Sequence, residues 1–287
     1  GAAGGLAGRH FGAARLTCRM NSVSPPLRTV GVQRYVTPLR EGGSLPAVIE
    51  ADDQGLYVLK FRGAGQGVRA LMAEIISAGI ARALGLPVPE VVLADLNPAL
   101  AQTEPDPEIQ DLIRASAGIN VGLDYLPAAV NFDPSADQVT DDFASRLVWF
   151  DTLVSNVDRT ARNTNLLMWH RQPWLIDHGA SLTFHHAWNG TVPDSGKPFA
   201  PIAEHVLLPR ASQLAEADAA WAPRLSGEVL QGILNGVPDE FLNLATADRQ
   251  DGALADPAAH RAAYLRYFQA RLADRARWLK GAIDARG

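Results

Sequence analysis

The segment from Val157 to Leu182 constrains this chain more than any other part of the sequence. In it, Asp158 is followed five positions later by Asn163, and an apolar run then ends in Asp177. A carboxylate in the first position can accept the proton of a hydroxyl group, while the amide and the second carboxylate can converge on Mg²⁺ bound to phosphates. Such a cation neutralises the charge that develops on a phosphoryl group during transfer. The segment therefore predicts a phosphoryl-transfer site, with Asp158 as the base and Asn163 and Asp177 as metal ligands.

Two other interpretations of this segment have to be weighed. Asp and Asn side chains often bond to their own backbone, so the stretch from Asp158 to Asn163 alone is equally typical of a capped turn. The apolar run 174–176 favours the site, because it delivers Asp177 to a Gly-containing turn as a strand ending at a metal would. Zinc is the other interpretation, but neither a Cys cluster nor an HExxH pattern accompanies the three nearby histidines, His178, His185 and His186.

A lysine and a glutamate upstream could complete the same site. Lys60, one of only three lysines, lies in the strand-like segment LYVLKF, where a buried point charge is costly. Glu74 follows on a helix predicted from about 68 to 84 and ended by Gly85. Singly, Lys60 could extend from a strand edge into solvent, and Glu74 could be a solvated helical residue. Together with the downstream carboxylates, they predict a pair in which Glu74 orients Lys60 towards nucleotide phosphates.

The first half of the chain also offers two candidate nucleotide-binding segments. RTVGVQRYV, AVIEA and LYVLKF are strand-like and joined by turns, which predicts antiparallel hairpins. The turn after the first strand could close its backbone N–H groups over phosphates, although such turns are more often only turns: Gly42, Gly43 and Ser44. The strand-like GINVGLDYLP leads out of this half, and its end could offer backbone groups to an adenine ring: Asp124, Tyr125 and Leu126.

The rest of the chain is predicted to be mainly helical. A helix beginning near Asp141 delivers the Asp158 loop, and an irregular segment to about Pro209 would face the substrate. A single long helix, with a solvated face of alternating Arg and Asp, is expected from about 257 to 285. We therefore predict an α+β, two-lobed fold with an antiparallel sheet plus helix at 27–126, a mainly helical lobe at 127–287 and a flexible leader at 1–26.

Composition narrows the function further. The 287 residues are 47% hydrophobic, enough for a substantial core. A net charge of -5 argues against a broad nucleic-acid-binding surface, so we expect no direct nucleic-acid contact. Cys18 is the only cysteine, which excludes an intramolecular disulfide and fits the cytoplasm. No run approaches the roughly 18 apolar residues of a membrane span, so we expect no membrane insertion.

Four segments in order, LYVLKF, AEIISAGIARALGLPVPE, NVDRTARNTNLL and LIDHGASL, resemble the HipA-like kinase family and, more distantly, phosphatidylinositol-kinase-like enzymes. The resemblance implies a kinase-like fold that binds ATP and Mg²⁺. It also implies a bacterial serine/threonine protein kinase, with a possible regulatory partner protein. By motif position, Lys60 would bind phosphate and Glu74 would orient it. Asp158 would be the catalytic base, and Asn163 and Asp177 would hold the metal. Two residues depart from the family pattern. Thr160 stands where histidine is common, and Asp-His-Gly replaces Asp-Phe-Gly at 177–179. The second departure leaves open how residues 177–179, the candidate metal loop, pack.

The predicted activity is ATP- and Mg²⁺-dependent phosphoryl transfer to a hydroxyl group, most simply on a protein. A small-molecule, peptide or lipid acceptor is the nearest alternative, and nucleotidyl transfer uses the same fold. A non-catalytic nucleotide-binding scaffold is the alternative from another class. It accounts less well for a proton acceptor beside two metal ligands.

Overall fold

The computed structural model describes residues 26–39, 45–65, 67–246, 254 and 256–287. The candidate phosphate loop, Gly42, Gly43 and Ser44, lies outside these ranges, as do residues 1–25 of the predicted leader. The described chain combines a small β-barrel near its N-terminus with a larger helical region. The predicted α+β class is confirmed.

Five strands form the barrel, in the order β1-β2-β3-β5-β4: β1 (Thr29–Pro38), β2 (Ala47–Ala51), β3 (Leu56–Lys60), β4 (Val91–Leu96) and β5 (Gly118–Asp124). The predicted hairpins β1/β2 and β2/β3 are confirmed as antiparallel pairs. The parallel pairing of Thr29–Gly31 with Leu93–Asp95, which closes the sheet into a barrel, was not predicted. Side chains that alternate along the strands, such as Ile49 and Leu59, fill its interior.

Helix α1 (Gly67–Leu84) connects the barrel to the helical region. Most of its surface is buried. Gly79 of α1 allows a close approach to a helix of the C-terminal region, since an added Cβ at Gly79 would lie 2.6 Å from Ile233 Cγ2. Glu74 is 1% exposed, so the alternative of a solvated helical glutamate is wrong. Gly85 follows the helix with a positive φ of 86°, as expected for a glycine that ends a helix.

Within the described ranges, the remaining strands and α-helices are a second helix of the N-terminal region, a small sheet and six further α-helices: α2 (Pro107–Ala115), β6 (Val130–Asn131), α3 (Asp141–Val154), β7 (Leu166–Trp169), β8 (Gln172–Leu175), α4 (Leu214–Trp221), α5 (Gly227–Asn235), α6 (Asp239–Leu244), α7 (Pro257–Ala273) and α8 (Arg275–Arg286). Helix α1 shares one large core with α3 to α8, whereas Ile109 and Ile113 of α2 pack with the barrel interior. The division at residue 126 stays a prediction. None of the helices in the described ranges has the length and apolarity needed to cross a bilayer.

The predicted single terminal helix is wrong, because it divides at Asp274 into α7 and α8. Asp274 lies between the two helices with a ψ of 10°, and its carboxylate accepts a hydrogen bond of 2.5 Å from the Ser195 hydroxyl. The predicted solvated face is also wrong at Arg271, which is buried and donates to the carbonyl oxygens of Thr152 (2.6 Å) and Leu153 (2.9 Å). These carbonyls end α3, so a guanidinium there satisfies acceptors that have no partner within the helix.

Candidate active site

All five predicted catalytic and metal-binding residues line one cavity of about 390 Å³, within the range of small-ligand sites. They come from β3, α1, the loop after α3 and the turn after β8. The remaining walls come from the loop that joins β3 to α1, from the first turns of α1 and from the turn after β8: Phe61, Ala64, Gly65, Gly67, Ala70, Leu71, Gly179 and Ala180.

Lys60 is the cation of the cavity. Its side chain is 12% exposed, and its Nζ lies 2.7 Å from Asp177 Oδ1 and 3.9 Å from Glu74 Oε2. Burial alone would lower the pKa of Lys60, but the charges of Glu74 and Asp177 outweigh it and raise that pKa. Lys60 is therefore a paired ammonium group and not a lysine extended into solvent. Its shorter contact is to Asp177, not to the glutamate predicted as its partner.

Glu74 instead holds the metal loop. The backbone N–H of His178 donates to Glu74 Oε2 at 2.9 Å, and His178 Nδ1 lies 3.0 Å from Glu74 Oε1. Burial would raise the pKa of Glu74, but hydrogen bonding to His178 and the charge of Lys60 lower it to about 2. His178 is 1% exposed and meets the edge of Phe150. The Asp-His-Gly departure is thus accommodated by an inward histidine bonded to the buried glutamate of α1.

Asp177 reaches the cavity from the end of β8. The Ile176 N–H donates to the Asn165 carbonyl at 3.1 Å, which fixes the chain just before the turn. Asp177 itself has a φ of 55°, in the left-handed region that an aspartate tolerates better than most side chains. Its side chain is 43% exposed. The carboxylate is therefore held by a defined turn and remains accessible.

Asp158 is oriented by two amides. Asn163 Nδ2 donates to Asp158 Oδ2 at 2.8 Å, and Asn165 Nδ2 reaches the same oxygen at 3.2 Å. An asparagine that donates through its nitrogen still has its carbonyl oxygen to offer, so Asn163 can hold Asp158 and ligate a cation together. The Thr160 N–H donates to the Asn163 carbonyl at 2.9 Å, so the segment is also a turn. The turn interpretation and the site interpretation are therefore compatible.

Beneath this loop lies a buried polar cluster that the sequence did not predict. Asp151 Oδ2 accepts from Arg159 Nε at 2.6 Å and lies 2.9 Å from His205 Nε2, while its Oδ1 accepts from Asn156 Nδ2 at 3.0 Å. Burial would raise the pKa of Asp151, but the charge of Arg159 and the hydrogen bonds from His205 and Arg159 lower it to about 2. The one available signal was an aspartate in the otherwise apolar helical run LVWFDTLV.

The other predicted residues lie elsewhere. Asp124, Tyr125 and Leu126 are at the end of β5, and among the described residues they do not belong to the cavity wall. The Asp124 N–H donates to the Glu90 carbonyl (2.8 Å) and the Tyr125 N–H to the Leu56 carbonyl (2.9 Å), so both donors are engaged within the barrel. Their role at an adenine ring stays a prediction. By contrast, Gly65 in the loop after β3 and Gly67 at the start of α1 do line the cavity.

The three histidines considered for zinc have separate surroundings. His178 bonds to Glu74, whereas His185 Nδ1 lies 2.8 Å from the Tyr264 hydroxyl on α7. Burial lowers the pKa of His185 to about 3, so its imidazole is neutral at pH 7. The neighbouring His186 is exposed, and desolvation lowers its pKa too. His185 therefore belongs to the packing of the segment after Asp177 against α7.

The model of a family described as HipA-like kinase matches residues 32–243. The crystal structure of a Helicobacter pylori proinflammatory kinase, CtkA, is similar with a TM-score of 0.51 and 12% identity, over 91% of this chain and 98% of that chain. A Golgi casein kinase structure has a TM-score of 0.44 and 11% identity, over 93% and 76% of the two chains. The same kinase with Mn/ADP bound has a TM-score of 0.44 and 12% identity, over 93% and 75%. No curated protein sequence matches.

Proposed function

Because this chain belongs to the HipA-like kinase family, we propose that it transfers the γ-phosphoryl group of ATP, bound with Mg²⁺, to a serine or threonine hydroxyl of a protein. The observation that carries the proposal is the convergence of Lys60, Asp177, Asn163 and Asp158 on one cavity. A cation, two candidate metal ligands and a carboxylate base are the groups that phosphoryl transfer requires.

The residues of the cavity fit the cofactors. A carboxylate on Asp177 and an amide oxygen on Asn163 are hard oxygen donors of the kind that Mg²⁺ prefers. When bound, the cation would neutralise charge on the phosphates. Lys60, now paired with Asp177 at 2.7 Å, would contact the phosphates as a point charge. Glu74 would remain bonded to His178 and keep the Asp177 turn in place.

Asp158 acts as the general base in this proposal. The acceptor hydroxyl gives its proton to the Asp158 carboxylate while its oxygen forms a bond to the γ-phosphorus. The bond from that phosphorus to the bridging oxygen breaks, and ADP leaves. Two amide donors on one carboxylate oxygen fix the orientation of Asp158 before the acceptor arrives.

We place the nucleotide between the regions 27–126 and 127–287, with a hydroxyl-bearing acceptor approaching from the side of Asp158. We further propose a cytoplasmic enzyme with a regulatory partner protein and no direct contact with nucleic acid. The single cysteine fits the cytoplasmic location, and the net charge of -5 supports the absence of nucleic-acid contact.

The test is transfer from γ-labelled ATP to casein, to histone and to the protein itself, followed by intact-mass spectrometry. Wild type with MgCl₂ should gain phosphoryl mass on a protein, and EDTA should abolish the gain. Asp177→Asn should lose transfer, because a neutral amide binds the cation far less strongly. Asp111→Asn makes the same chemical change at an exposed position on α2 and should behave as wild type. A nucleotidyl mass would identify nucleotidyl transfer instead, and nucleotide binding without transfer to protein would contradict a protein acceptor.

A further inference from the structure

The cluster around Asp151 joins three separate parts of the chain. Asp151 belongs to α3, Arg159 to the loop that carries Asp158, and His205 to the segment that follows the metal loop. Asp151 and its Arg159 partner are 0% exposed in their side chains, and His205 is 2% exposed. Such a cluster is costly to bury, so its geometry is strongly determined by mutual hydrogen bonding.

The hydrogen bonds of His205 define its tautomer. Its Nδ1 accepts from the Leu207 N–H at 3.0 Å, so this nitrogen carries no proton. The neutral imidazole must then bear its proton on Nε2, which donates to Asp151 Oδ2 at 2.9 Å. Each ring nitrogen thus has a distinct and separable task.

The cluster continues to the proposed base. Arg159 Nη1 donates to the Asn165 carbonyl, and Asn165 Nδ2 in turn donates to the side chain and the backbone carbonyl of Asp158, both at 3.2 Å. On the other side, the Val206 N–H donates to the Arg159 carbonyl at 3.1 Å. The segment at His205 is therefore joined to the Asp158 loop by side chains and by backbone.

We propose that His205 is a positioning residue: through Asp151, Arg159 and Asn165 it holds Asp158 in the orientation that proton transfer requires. The inference rests on the proposed function. It assigns to the segment after the metal loop a task besides facing the acceptor, because this segment also sets the geometry of the base. Nucleotide binding should depend on His205 less than proton transfer does, because Lys60 and Asp177 contact each other and Glu74 also holds the Asp177 turn through His178.

Two substitutions separate the tasks of the two nitrogens. His205→Gln can place an amide donor near the position of Nε2 and keep the bond to Asp151. His205→Asn can place an acceptor near the position of Nδ1, keep the bond to Leu207 and lose the bond to Asp151. His185→Asn removes another buried imidazole, one that bonds to Tyr264, and controls for a general loss of stability.

The experiment measures kcat, KM for ATP, nucleotide Kd and Tm for these three variants and wild type. His205→Asn should lower kcat about ten- to hundredfold, the effect of a misplaced catalytic group, with nucleotide Kd within about twofold of wild type. His205→Gln should recover most of kcat, and His185→Asn should keep kcat even where its Tm falls.

Three outcomes would overturn the inference. Wild-type kcat in His205→Asn would show that the bond to Asp151 does not position the base. Equal losses of kcat in His205→Gln and His205→Asn would assign His205 a structural role only. Losses of kcat that simply follow the fall in Tm in all variants would lead to the same conclusion. In both cases wild type still transfers phosphoryl groups, so the proposed function stands. No transfer by wild type to any acceptor would refute the proposed function and this inference together.

Discussion

Two buried carboxylates, Glu74 and Asp151, have the same kinds of partner and different freedom. Each lies beside a histidine and a cation: His178 and Lys60 for Glu74, His205 and Arg159 for Asp151. The difference lies in the cation. Lys60 contacts Glu74 only at 3.9 Å, contacts the accessible Asp177 at 2.7 Å and lines the cavity, whereas Arg159 is completely enclosed and bonded to protein acceptors. In the Glu74 cluster, Lys60 can therefore exchange its contact with Asp177 for a contact with a ligand. The Asp151 cluster, by contrast, is a fixed structural element.

Disrupting the Asp151 cluster should have the largest effect on stability. Asp151→Asn leaves the Arg159 charge buried without a counter-charge, which should lower the free energy of unfolding by about 3–5 kcal/mol. Glu74→Gln should cost less, because Lys60 keeps Asp177 as its partner. Urea denaturation of both variants at pH 7 measures the difference. An equal or larger loss in Glu74→Gln would contradict the distinction between the two clusters.

Acid should weaken the Asp151 cluster in a defined pH range. The pKa of Asp151 is about 2 in the folded protein and 3.8 in its ordinary state, so its charge favours folding above pH 4 and loses this effect as the pH falls towards 2. The shift corresponds to about 2 kcal/mol. The difference in unfolding free energy between wild type and Asp151→Asn should be constant from pH 7 to 5 and shrink below pH 4. A difference that stays constant down to pH 2.5 would refute the assignment.

Exchanging the two cations for methionine should separate binding from stability. Lys60→Met should weaken nucleotide binding about tenfold or more, since a charged hydrogen bond to phosphate is lost. Arg159→Met should destabilise the fold and leave nucleotide affinity nearly unchanged where the protein remains folded. Calorimetric titration with ATP and MgCl₂, beside thermal unfolding, measures both quantities. Equal effects of the two variants on nucleotide Kd would remove the contrast.

The smallest effect should come from restoring the aromatic residue of the metal loop. His178→Phe keeps the backbone N–H bond to Glu74 and loses the ring bond, at a cost of about 1 kcal/mol. His178→Asn keeps a polar group at the position of Nδ1 and should cost less. Chemical denaturation at pH 7 measures both. A gain in stability with phenylalanine would show that the ring bond does not contribute.

Much of the site could be predicted, because its signals are local. The spacing from Asp158 to Asn163, the strand before Asp177 and the rare Lys60 on an apolar strand are each visible within a few residues, and the cavity brings these residues together. The barrel hairpins could be predicted for the same reason, because each joins two strands that are neighbours along the chain. Their turns set which strands meet.

The rest depends on contacts between distant residues. His205 lies in an irregular segment with no period, 54 positions from Asp151, so its partner could not be inferred from spacing. The parallel pairing that closes the barrel joins strands more than fifty residues apart. The break at Asp274 has neither Gly nor Pro to mark it, and the Ser195 hydroxyl that bonds to the Asp274 carboxylate lies 79 positions away.

The most direct test of the central claim is a comparison of Asp158→Asn with wild type in phosphoryl transfer and in nucleotide binding. A base that contacts only the acceptor should be separable from the groups that hold ATP. We predict a fall in kcat of about 10²- to 10⁴-fold with nucleotide Kd nearly unchanged. Full transfer activity in Asp158→Asn, beside wild type that transfers to the same acceptor, would contradict the account.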